Sequence, residues 1–523
     1  MAVRALPAHM TPRLAIAGVG LAVLVCAAPA LAVIGEALAP ARESAQLTGA
    51  LVREGALGTL ALMLVGGGAA ILFGVIAAWL VSLSEFPGRG AFAWLLVLPL
   101  AAPSYVLAYS YASLTWAGGA IAAPVTGFWG VAFLYAVGLY PYVYLATRAA
   151  FASQSTSALE AARTLGVRGR DLLWRVAAPL ARPGVAAGGA LVLMEIAADY
   201  GAAQHFGVTT LSTAIFRAWF AHGAPHAAMQ ISALLLLAAL VFLIVERGAR
   251  GRADFAGAGA SRWRPLPRYR LNPLAAGAAM AFCAALVGLG ALAPLAWLAR
   301  LALLHPDLSG LAQPFLNSML LAGAGAVVTL LLALAIAAAA RHAGLLGKTA
   351  LFAAGMGYAA PGAVLALGAL SLFGAAREAG LVGGFGAALS LSALMWVYAA
   401  RFAAAGVQPI DAGLARLSKG LDDSARTLGA GPWKRFSRID MPIAAPSLAA
   451  AALILFVEIL KELPATLILR PFDFDTLAVK AYAYASDERL QQAAAPSLLI
   501  FLAGLAPILL LTRGIARARA GAS

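Results

Sequence analysis

Charged side chains are scarce in this chain, and long stretches have none. Only 11% of the 523 residues are Asp, Glu, Lys or Arg, whereas a soluble domain carries about a quarter. Residues 90–147, 308–340 and 349–376 contain no charge at all. Since a membrane-spanning helix needs about 20 apolar residues, the first stretch can hold two such helices and each of the others one. The composition excludes a soluble core and predicts an all-α, polytopic membrane protein.

Cysteines and nucleotide-binding motifs are also scarce. Cys26 and Cys283 lie in apolar segments, so neither a disulfide framework nor a paired-cysteine metal site is expected. Residues 347–349 (Gly-Lys-Thr) resemble the end of a phosphate-binding loop, but that loop needs a glycine where this chain has His342. We therefore predict that the chain is not an enzyme, with no catalytic residue, no ATPase site and no bound cofactor.

Twelve predominantly apolar segments are long enough to cross a membrane, six in each half of the chain. Their approximate bounds are residues 14–34, 57–82, 91–112, 126–147, 184–204, 226–245, 273–299, 316–340, 349–373, 384–400, 444–466 and 494–512. Six arginines lie between residues 148 and 182, and seven between 247 and 270. Both clusters are cytoplasmic, as the positive-inside rule requires, if the amino terminus is cytoplasmic. We predict that both termini are cytoplasmic, and that topology rather than nucleic acid binding explains the net charge of +15.

The first apolar segment has a second interpretation. Arg4 and Arg13, the apolar run that follows and Ala-Pro-Ala-Leu-Ala at residues 28–32 are also typical of a cleaved signal peptide. Cleavage would leave eleven spans and place the new amino terminus outside. Retention is favoured because the internal repeat described next requires six spans in each half.

The two halves of the sequence repeat each other. Residues 160–166 (Glu-Ala-Ala-Arg-Thr-Leu-Gly) recur 263 positions later as residues 423–429 (Asp-Ser-Ala-Arg-Thr-Leu-Gly). The Ala-Ala-Pro of residues 98–104 recurs in residues 357–362 at a slightly smaller offset. Because each half has an even number of spans, the repeat is parallel, with its pseudo-twofold axis along the membrane normal.

We therefore divide the chain into two six-helix membrane repeats joined by a basic linker. The first repeat spans residues 1–246 and has a long cytoplasmic loop at 154–182. The linker spans residues 247–272. The second repeat spans residues 273–523 and has the corresponding loop at 411–444. A pathway between the two repeats is the expected site of transport.

The two long cytoplasmic loops share one spacing, which carries the functional prediction. The first loop has Glu160, Ala161, Ala162, Gly166 and Pro179, and the second has Asp423, Ser424, Ala425, Gly429 and Pro442. Small residues allow a partner to approach closely, and the glycine permits a turn between two short helices. This spacing resembles the coupling loop of binding-protein-dependent ABC importers. The resemblance implies that two copies of a cytoplasmic ABC ATPase dock on the loops and use ATP. Asp423 and Ser424 depart from the family's Glu-Ala, so we expect weaker docking on the second loop.

Ionisable residues recur at equivalent places in the fifth and eleventh spans, where charge is costly and usually functional. Glu195 and Asp199 lie four residues apart on one helix face, and Glu458 and Glu462 repeat that spacing. Carboxylate oxygens suit hard cations. We predict a substrate pathway that contains Glu195, Asp199, Glu458, Lys461, Glu462 and Pro464, in which the four carboxylates contact a transported metal ion. The alternative is a structural polar network in which Lys461 neutralises Glu458 or Glu462.

Three longer segments resemble one particular group of ABC importers. Residues 98–109 (LPLAAPSYVLAY), 194–201 (MEIAADYG) and 461–477 (KELPATLILRPFDFDTL) are similar to the fused permeases of ferric-iron ABC importers. This resemblance implies a type I importer permease in the bacterial inner membrane. It also implies ferric iron as the cargo and a periplasmic binding protein that delivers it.

Tyr105, Tyr109 and Tyr111 follow the Ala-Ala-Pro of the third span. They would add phenolic oxygens near the outer mouth, or else serve as interfacial aromatics, which is the favoured interpretation.

Two other functions remain open. A thiamine or other small-solute ABC permease shares every coupling feature and would differ only in the residues that line its pathway. A secondary transporter also commonly has twelve spans in two parallel halves, but it has no use for paired coupling loops.

Overall fold

A computed structural model describes residues 12–40, 45–116, 125–153, 164–165, 178–257, 268–306, 308–342, 345–383, 386–414, 427–429, 434, 438–439 and 441–520. Across these residues the fold is helical apart from short connections and one pair of two-residue strands, β1 (Ser84–Glu85) and β2 (Tyr269–Arg270). The strands are parallel, with Ser84 opposite Tyr269. The predicted all-α membrane class is confirmed.

The helices of the described residues are, in chain order, α1 (Pro12–Ala37), α2 (Ala45–Leu83), α3 (Arg89–Leu95), α4 (Ser104–Trp116), α5 (Gly127–Ser153), α6 (Ala178–Ala198), α7 (Gly201–His205), α8 (Leu211–Phe216), α9 (Pro225–Gly257), α10 (Pro273–Leu304), α11 (Ala312–His342), α12 (Leu345–Ala359), α13 (Gly362–Glu378), α14 (Ala387–Leu414), α15 (Met441–Leu460), α16 (Pro464–Leu469), α17 (Leu477–Ser486) and α18 (Leu490–Ala520). A π-helical turn widens α2 at Met63–Gly67 and α10 at Gly288–Leu292.

Nine of these helices are long and apolar enough to cross a membrane, counting only the described residues: α1, α2, α5, α6, α9, α10, α11, α14 and α15. Two bent pairs, α3 with α4 and α12 with α13, raise the number to eleven if each pair is one span. The last helix, α18, adds a shorter apolar stretch at Leu490–Ala506. Each of the twelve predicted spans overlaps one of these segments.

Two predicted spans, residues 91–112 and 349–373, are not continuous helices. The chain bends by 90° between α3 and α4, and by 109° between α12 and α13. Pro103 and Pro361 occupy the two bends, and Ala102 before the first proline is extended, with ψ of 121°. Proline has no N–H to donate and disfavours helical backbone in the residue before it. The prediction of unbroken helices here was therefore wrong, although the repeated Ala-Ala-Pro marks both bends.

The predicted fifth and eleventh spans, residues 184–204 and 444–466, contain breaks as well. Helix α6 ends at Ala198 and short helix α7 follows, while α15 ends at Leu460 and short helix α16 follows. The residues on both sides of each break are mostly apolar, so a hydropathy pattern reads each pair as one helix. The polar residues at these breaks form the candidate site.

Packing groups the described residues into two compact units. The 309–480 unit consists of Met1–Ala45, Ala218–Leu236 and Ser309–Lys480. Here α1 packs with helices of the second repeat: the Trp396 Nε1 donates to the Val25 carbonyl oxygen at 2.9 Å. A Cβ on Gly368 would lie 1.9 Å from the Pro29 carbonyl oxygen, so only glycine allows this approach.

The 46–217 unit consists of Gln46–Arg217, Leu237–Leu308 and Ala481–Ser523. In it α18 packs with residues of the first repeat, because a Cβ on Gly504 would lie 2.2 Å from the Ala101 carbonyl oxygen. The predicted boundaries at residues 246 and 273 delimit the two copies of the repeated sequence. The packing units divide the chain differently, because each unit includes terminal helices of the other repeat.

Candidate functional site

Most of the predicted coupling residues lie outside the described residues, namely Glu160, Ala161, Ala162, Gly166, Asp423, Ser424 and Ala425. Pro179 and Pro442 are described, and each is the second residue of the helix that enters the next span. Proline suits the first turn of a helix, where its missing N–H costs nothing. Gly429 has φ of +72°, the left-handed conformation expected of a turn glycine.

Asp199 lies at the break between α6 and α7, where several groups hold its carboxylate. The hydroxyl of Ser104 donates to Oδ1. The hydroxyl of Tyr135 donates to Oδ2 at 2.8 Å, and the backbone N–H of Ala203 donates to Oδ2 at 3.3 Å. The backbone N–H of Asp199 still bonds to the Glu195 carbonyl at 3.0 Å. Asp199 therefore joins three segments of the 46–217 unit and caps the short helix α7.

Glu462 accepts the corresponding hydrogen bonds at the break between α15 and α16. The backbone N–H groups of Ala465 and Thr466 donate to its carboxylate at 3.0 and 3.1 Å. The Thr466 hydroxyl donates to it at 2.9 Å, and Glu462 is only 5% exposed. Free N–H groups at a helix start are satisfied by such side-chain acceptors. Pro464 occupies the first position of α16.

The two caps are equivalent positions of the repeat. Asp199 and Glu462 are 263 residues apart, as are their backbone donors Ala203 and Thr466. The same offset relates Tyr135 to Tyr398, whose hydroxyl lies 2.6 Å from the Thr466 hydroxyl. The duplication has thus preserved a carboxylate that fixes a broken helix.

The two repeats differ at the residue that starts the helix after each proline bend. Ser104, which donates to Asp199, is replaced by Gly362 at the start of α13. A Cβ on Gly362 would lie 2.4 Å from Glu462 Oε1 and 2.6 Å from Arg401 Nη1. The longer glutamate and the arginine therefore fill the space that a serine occupies in the first repeat.

The other two carboxylates are held differently. Glu195 accepts a hydrogen bond from the Tyr142 hydroxyl at 3.4 Å. Glu458 forms an ion pair with Lys461, with 2.7 Å between Oε1 and Nζ. Lys461 thus neutralises Glu458, as the alternative interpretation proposed for this pair.

A resident metal centre is not formed by these groups. Among the described residues, no cluster of three or more His, Cys, Asp or Glu side chains could hold a metal ion. The contact of Glu195, Asp199, Glu458 and Glu462 with a passing ion stays a prediction.

The tyrosines of α4 are not at an interface. Tyr105, Tyr109 and Tyr111 are 4%, 2% and 3% exposed, so the interfacial interpretation was wrong. Tyr111 donates to the Leu289 carbonyl at 2.6 Å. Tyr105 and Tyr109 lie side by side, with ring centroids 5.7 Å apart, and His205 packs against Tyr109 at 4.9 Å. The bend at Pro103 starts α4 beside Asp199, which buries the tyrosines.

Two further tyrosines complete this cluster. The hydroxyls of Tyr200 and Tyr482 are 2.7 Å apart, and the Tyr200 ring stacks on Phe216 at 3.7 Å. The cluster thus contains phenols, a carboxylate and an imidazole.

Sequence reasoning missed Ser104, Tyr135, Tyr200, Thr466 and Tyr482. A signal was present for some of them. Tyr135 and Tyr398 keep the repeat's own offset of 263, and Tyr200 adjoins Asp199. Tyr482 carries no such signal, because its partner lies 282 residues away.

Comparison with known proteins agrees with this architecture. Residues 70–251 match the family described as binding-protein-dependent transport system inner membrane component. The chain is 25% identical over 454 residues to the Fe(3+)-transport system permease protein FbpB 2 of Haemophilus influenzae, covering 85% of this chain and 86% of that protein.

A shorter relative matches one part of the chain. The Molybdenum transport system permease protein ModB of Escherichia coli (strain K12) is 26% identical over 189 residues, which is 33% of this chain and 82% of ModB. A third of this chain thus aligns with most of a smaller permease, as expected if that permease corresponds to one repeat.

Proposed function

We propose that the chain is a membrane permease of the binding-protein-dependent transport systems whose inner membrane component domain it matches, and that the cargo it passes is ferric iron. In this proposal it forms the pathway of an ABC importer in the inner membrane. A soluble binding protein delivers the iron, and a separate ATPase drives its passage.

The observation that carries the cargo assignment is the length of the similarity to the iron permease. That relative is matched over 86% of its length by 85% of this chain, so both repeats contribute. The molybdenum permease aligns with only 33% of this chain. The fused layout and the assigned cargo therefore come from the same relative.

The chemistry of the described pathway residues supports the same cargo. Carboxylate and phenol oxygens are hard donors, which suit hard cations. An oxyanion would be repelled by carboxylates in a site of low dielectric constant. We propose that Glu195, Asp199, Glu458, Lys461, Glu462 and Pro464 belong to the pathway. Asp199, Glu462 and Pro464 shape its helix breaks.

Energy coupling is assigned to the two cytoplasmic loops. Leu165 and Leu428, which precede the two turn glycines, are 82% and 86% exposed. Two large apolar side chains at equivalent exposed positions are typical of a surface that a partner covers. We propose that one ATPase copy docks on each loop, and that the chain itself binds no nucleotide or cofactor.

The cargo is tested by uptake in cells that lack the gene for this chain. We expect loss of ferric iron uptake, unchanged uptake of molybdate and thiamine, and recovery on complementation. Loss of thiamine or molybdate uptake with normal iron uptake would contradict the proposal and favour a small-solute or oxyanion permease.

We also propose that both termini and the linker at residues 247–272 are cytoplasmic. Cysteines introduced at Ala258 and Ala518 are expected to resist membrane-impermeant thiol reagents in intact spheroplasts and to react after lysis. The background should be low, because Cys26 and Cys283 are buried. Labelling of either introduced cysteine in intact spheroplasts would overturn the orientation.

A further inference from the structure

We propose that Arg401 is the buried counter-charge of Glu462, and that the charge of Glu462 fixes the break between α15 and α16 rather than binding the transported ion. Both residues belong to the 309–480 unit. This assignment deepens the proposed function and rests on it, because it decides which charges of the second repeat are open to the cargo.

Arg401 is a charge within an otherwise apolar helix. It is the one charged residue between Glu378 and Asp411, and it lies in the part of α14 that is long and apolar enough to cross a membrane, Ala387–Asp411. Arginine stays protonated in proteins, and a charge inside a membrane is costly unless an opposite charge or a water-filled cavity compensates it. The Nη1 atom of Arg401 is buried and has no hydrogen-bond partner among the described residues. Arg401 therefore requires an anion close by.

Glu462 is in the right place to be that anion. A Cβ on Gly362 would lie 2.6 Å from Arg401 Nη1 and 2.4 Å from Glu462 Oε1. These two atoms are therefore at most about 5 Å apart, a distance at which an opposite charge stabilises an ionised group. In the described part of the chain, Oε1 accepts a hydrogen bond from the Ala465 N–H at 3.0 Å and keeps a lone pair for a second donor.

The two repeats hold their capping carboxylates with different residues at the same two positions. The first repeat has Ser104 after the bend and Gly138 in the fourth span, whereas the second has Gly362 and Arg401 at these places. The neutral Ser104 hydroxyl donates to Asp199. In the second repeat the glycine follows the bend, and its missing side chain leaves room for the arginine. Each repeat thus has one side chain beside its carboxylate, and only that of the second repeat is charged.

The other carboxylate of the second repeat is also balanced by a cation. Glu458 Oε1 lies 2.7 Å from Lys461 Nζ, and the position equivalent to Lys461 in the first repeat is Ala198. A metal ion bound at Glu462 would be repelled by the positive charge of Arg401 across a medium of low dielectric constant. Glu462 is therefore a structural charge, and a cation that passes the second repeat does not bind to it.

The pairing predicts that the loss of one charge is worse than the loss of both. The permease is expressed with its ATPase and binding protein, and the import of radioactive ferric iron and the membrane level of the chain are measured together. Arg401→Gln and Glu462→Gln are each expected to lower import at least about 10-fold, because each leaves a buried charge without its partner. The variant with both substitutions is expected to import iron within about threefold of the unaltered chain, because neutral replacement of a buried pair is often tolerated. Arg401→Lys keeps the charge and should retain most of the import.

Gly362→Ala tests the same pair without removing a charge. Its Cβ would meet both the arginine nitrogen and the carboxylate oxygen, so the two groups must move apart and import should fall. Gly374→Ala is the matched control in the same helix, because no neighbouring atom lies within 4 Å of a Cβ there. Arg377→Gln, at an exposed position of α13, is the control for the loss of an arginine. Both controls should import iron normally.

The outcomes separate this assignment from the proposed function. If the double variant is as defective as the worse single variant, or if Arg401→Gln imports iron normally, Arg401 does not balance Glu462. If the double variant reaches a normal membrane level but imports no iron, Glu462 serves the ion and the assignment is wrong, while the proposed function stands. If the unaltered transporter imports another solute and no iron, the proposed function fails, and the charge balance is then judged from the import of that solute.

Discussion

A chain that carries both Gly166→Pro and Gly429→Pro is expected to lose ATP-driven import completely while it remains inserted in the membrane. Gly429 has φ of +72°, whereas proline is fixed near −65°. The turn at Gly429 would therefore not form and, in our proposal, the ATPase would lose its docking surface. Gly166 holds the same place in the first loop. Substrate uptake and the amount of chain in the membrane are measured together.

Gly310→Pro is the matched control for this backbone change. Gly310 also has a positive φ, +70°, and no neighbouring atom would touch a Cβ there. It precedes α11 and lies far along the chain from both coupling loops, so import should persist. Of the single variants, Gly166→Pro should be the more severe, because the first loop keeps Glu-Ala-Ala intact. Undiminished import by the double variant would refute the coupling role.

The second large effect concerns Glu462. Glu462→Ala is expected to remove most of the chain from the membrane, because the N–H groups of Ala465 and Thr466 would lose their acceptors. Each buried donor left without a partner costs about 1–3 kcal/mol, against a total stability of about 5–15 kcal/mol. Glu462→Gln keeps one carbonyl acceptor and should be milder. The measurement is the membrane level of the chain and its thermal unfolding.

Glu195→Gln provides the contrast between structure and transport. Glu195 accepts a hydrogen bond from the Tyr142 hydroxyl at 3.4 Å, and glutamine keeps an acceptor oxygen for it, so the amide should preserve the protein level. If this carboxylate steers a cation, iron uptake should nonetheless fall strongly. Normal uptake in Glu195→Gln would assign the residue to structure.

If Glu462→Ala instead keeps a normal membrane level and normal thermal stability, Glu462 is not needed as a helix cap.

The features that sequence alone predicts are those with a local pattern. The lengths of the apolar segments predict the membrane helices, and the recurring loop motifs predict the internal duplication. The ion pair of Lys461 with Glu458 was readable as a possibility, because residues three apart on a helix are neighbours. Each of these predictions depends on residues close together in the chain or on motifs that recur at a fixed offset.

The bends and the phenol cluster depend on contacts that no local pattern contains. Hydropathy stays high through Pro103 and Pro361, so both spans looked continuous. Ser104 meets Asp199 from 95 residues away. From sequence alone, tyrosines in an apolar span are typical of an interfacial belt. The structure buries them because the chain bends before α4. The exchange of terminal helices between the packing units is likewise a tertiary property.

Reconstituted transport tests the central claim most directly. The chain is placed in proteoliposomes with its ATPase, and the binding protein loaded with radioactive ferric iron is supplied on the outer side. The account predicts iron accumulation that requires hydrolysable ATP and the ATPase, and that ceases with a non-hydrolysable analogue. Equal accumulation without the ATPase or without ATP would contradict it and identify a secondary transporter.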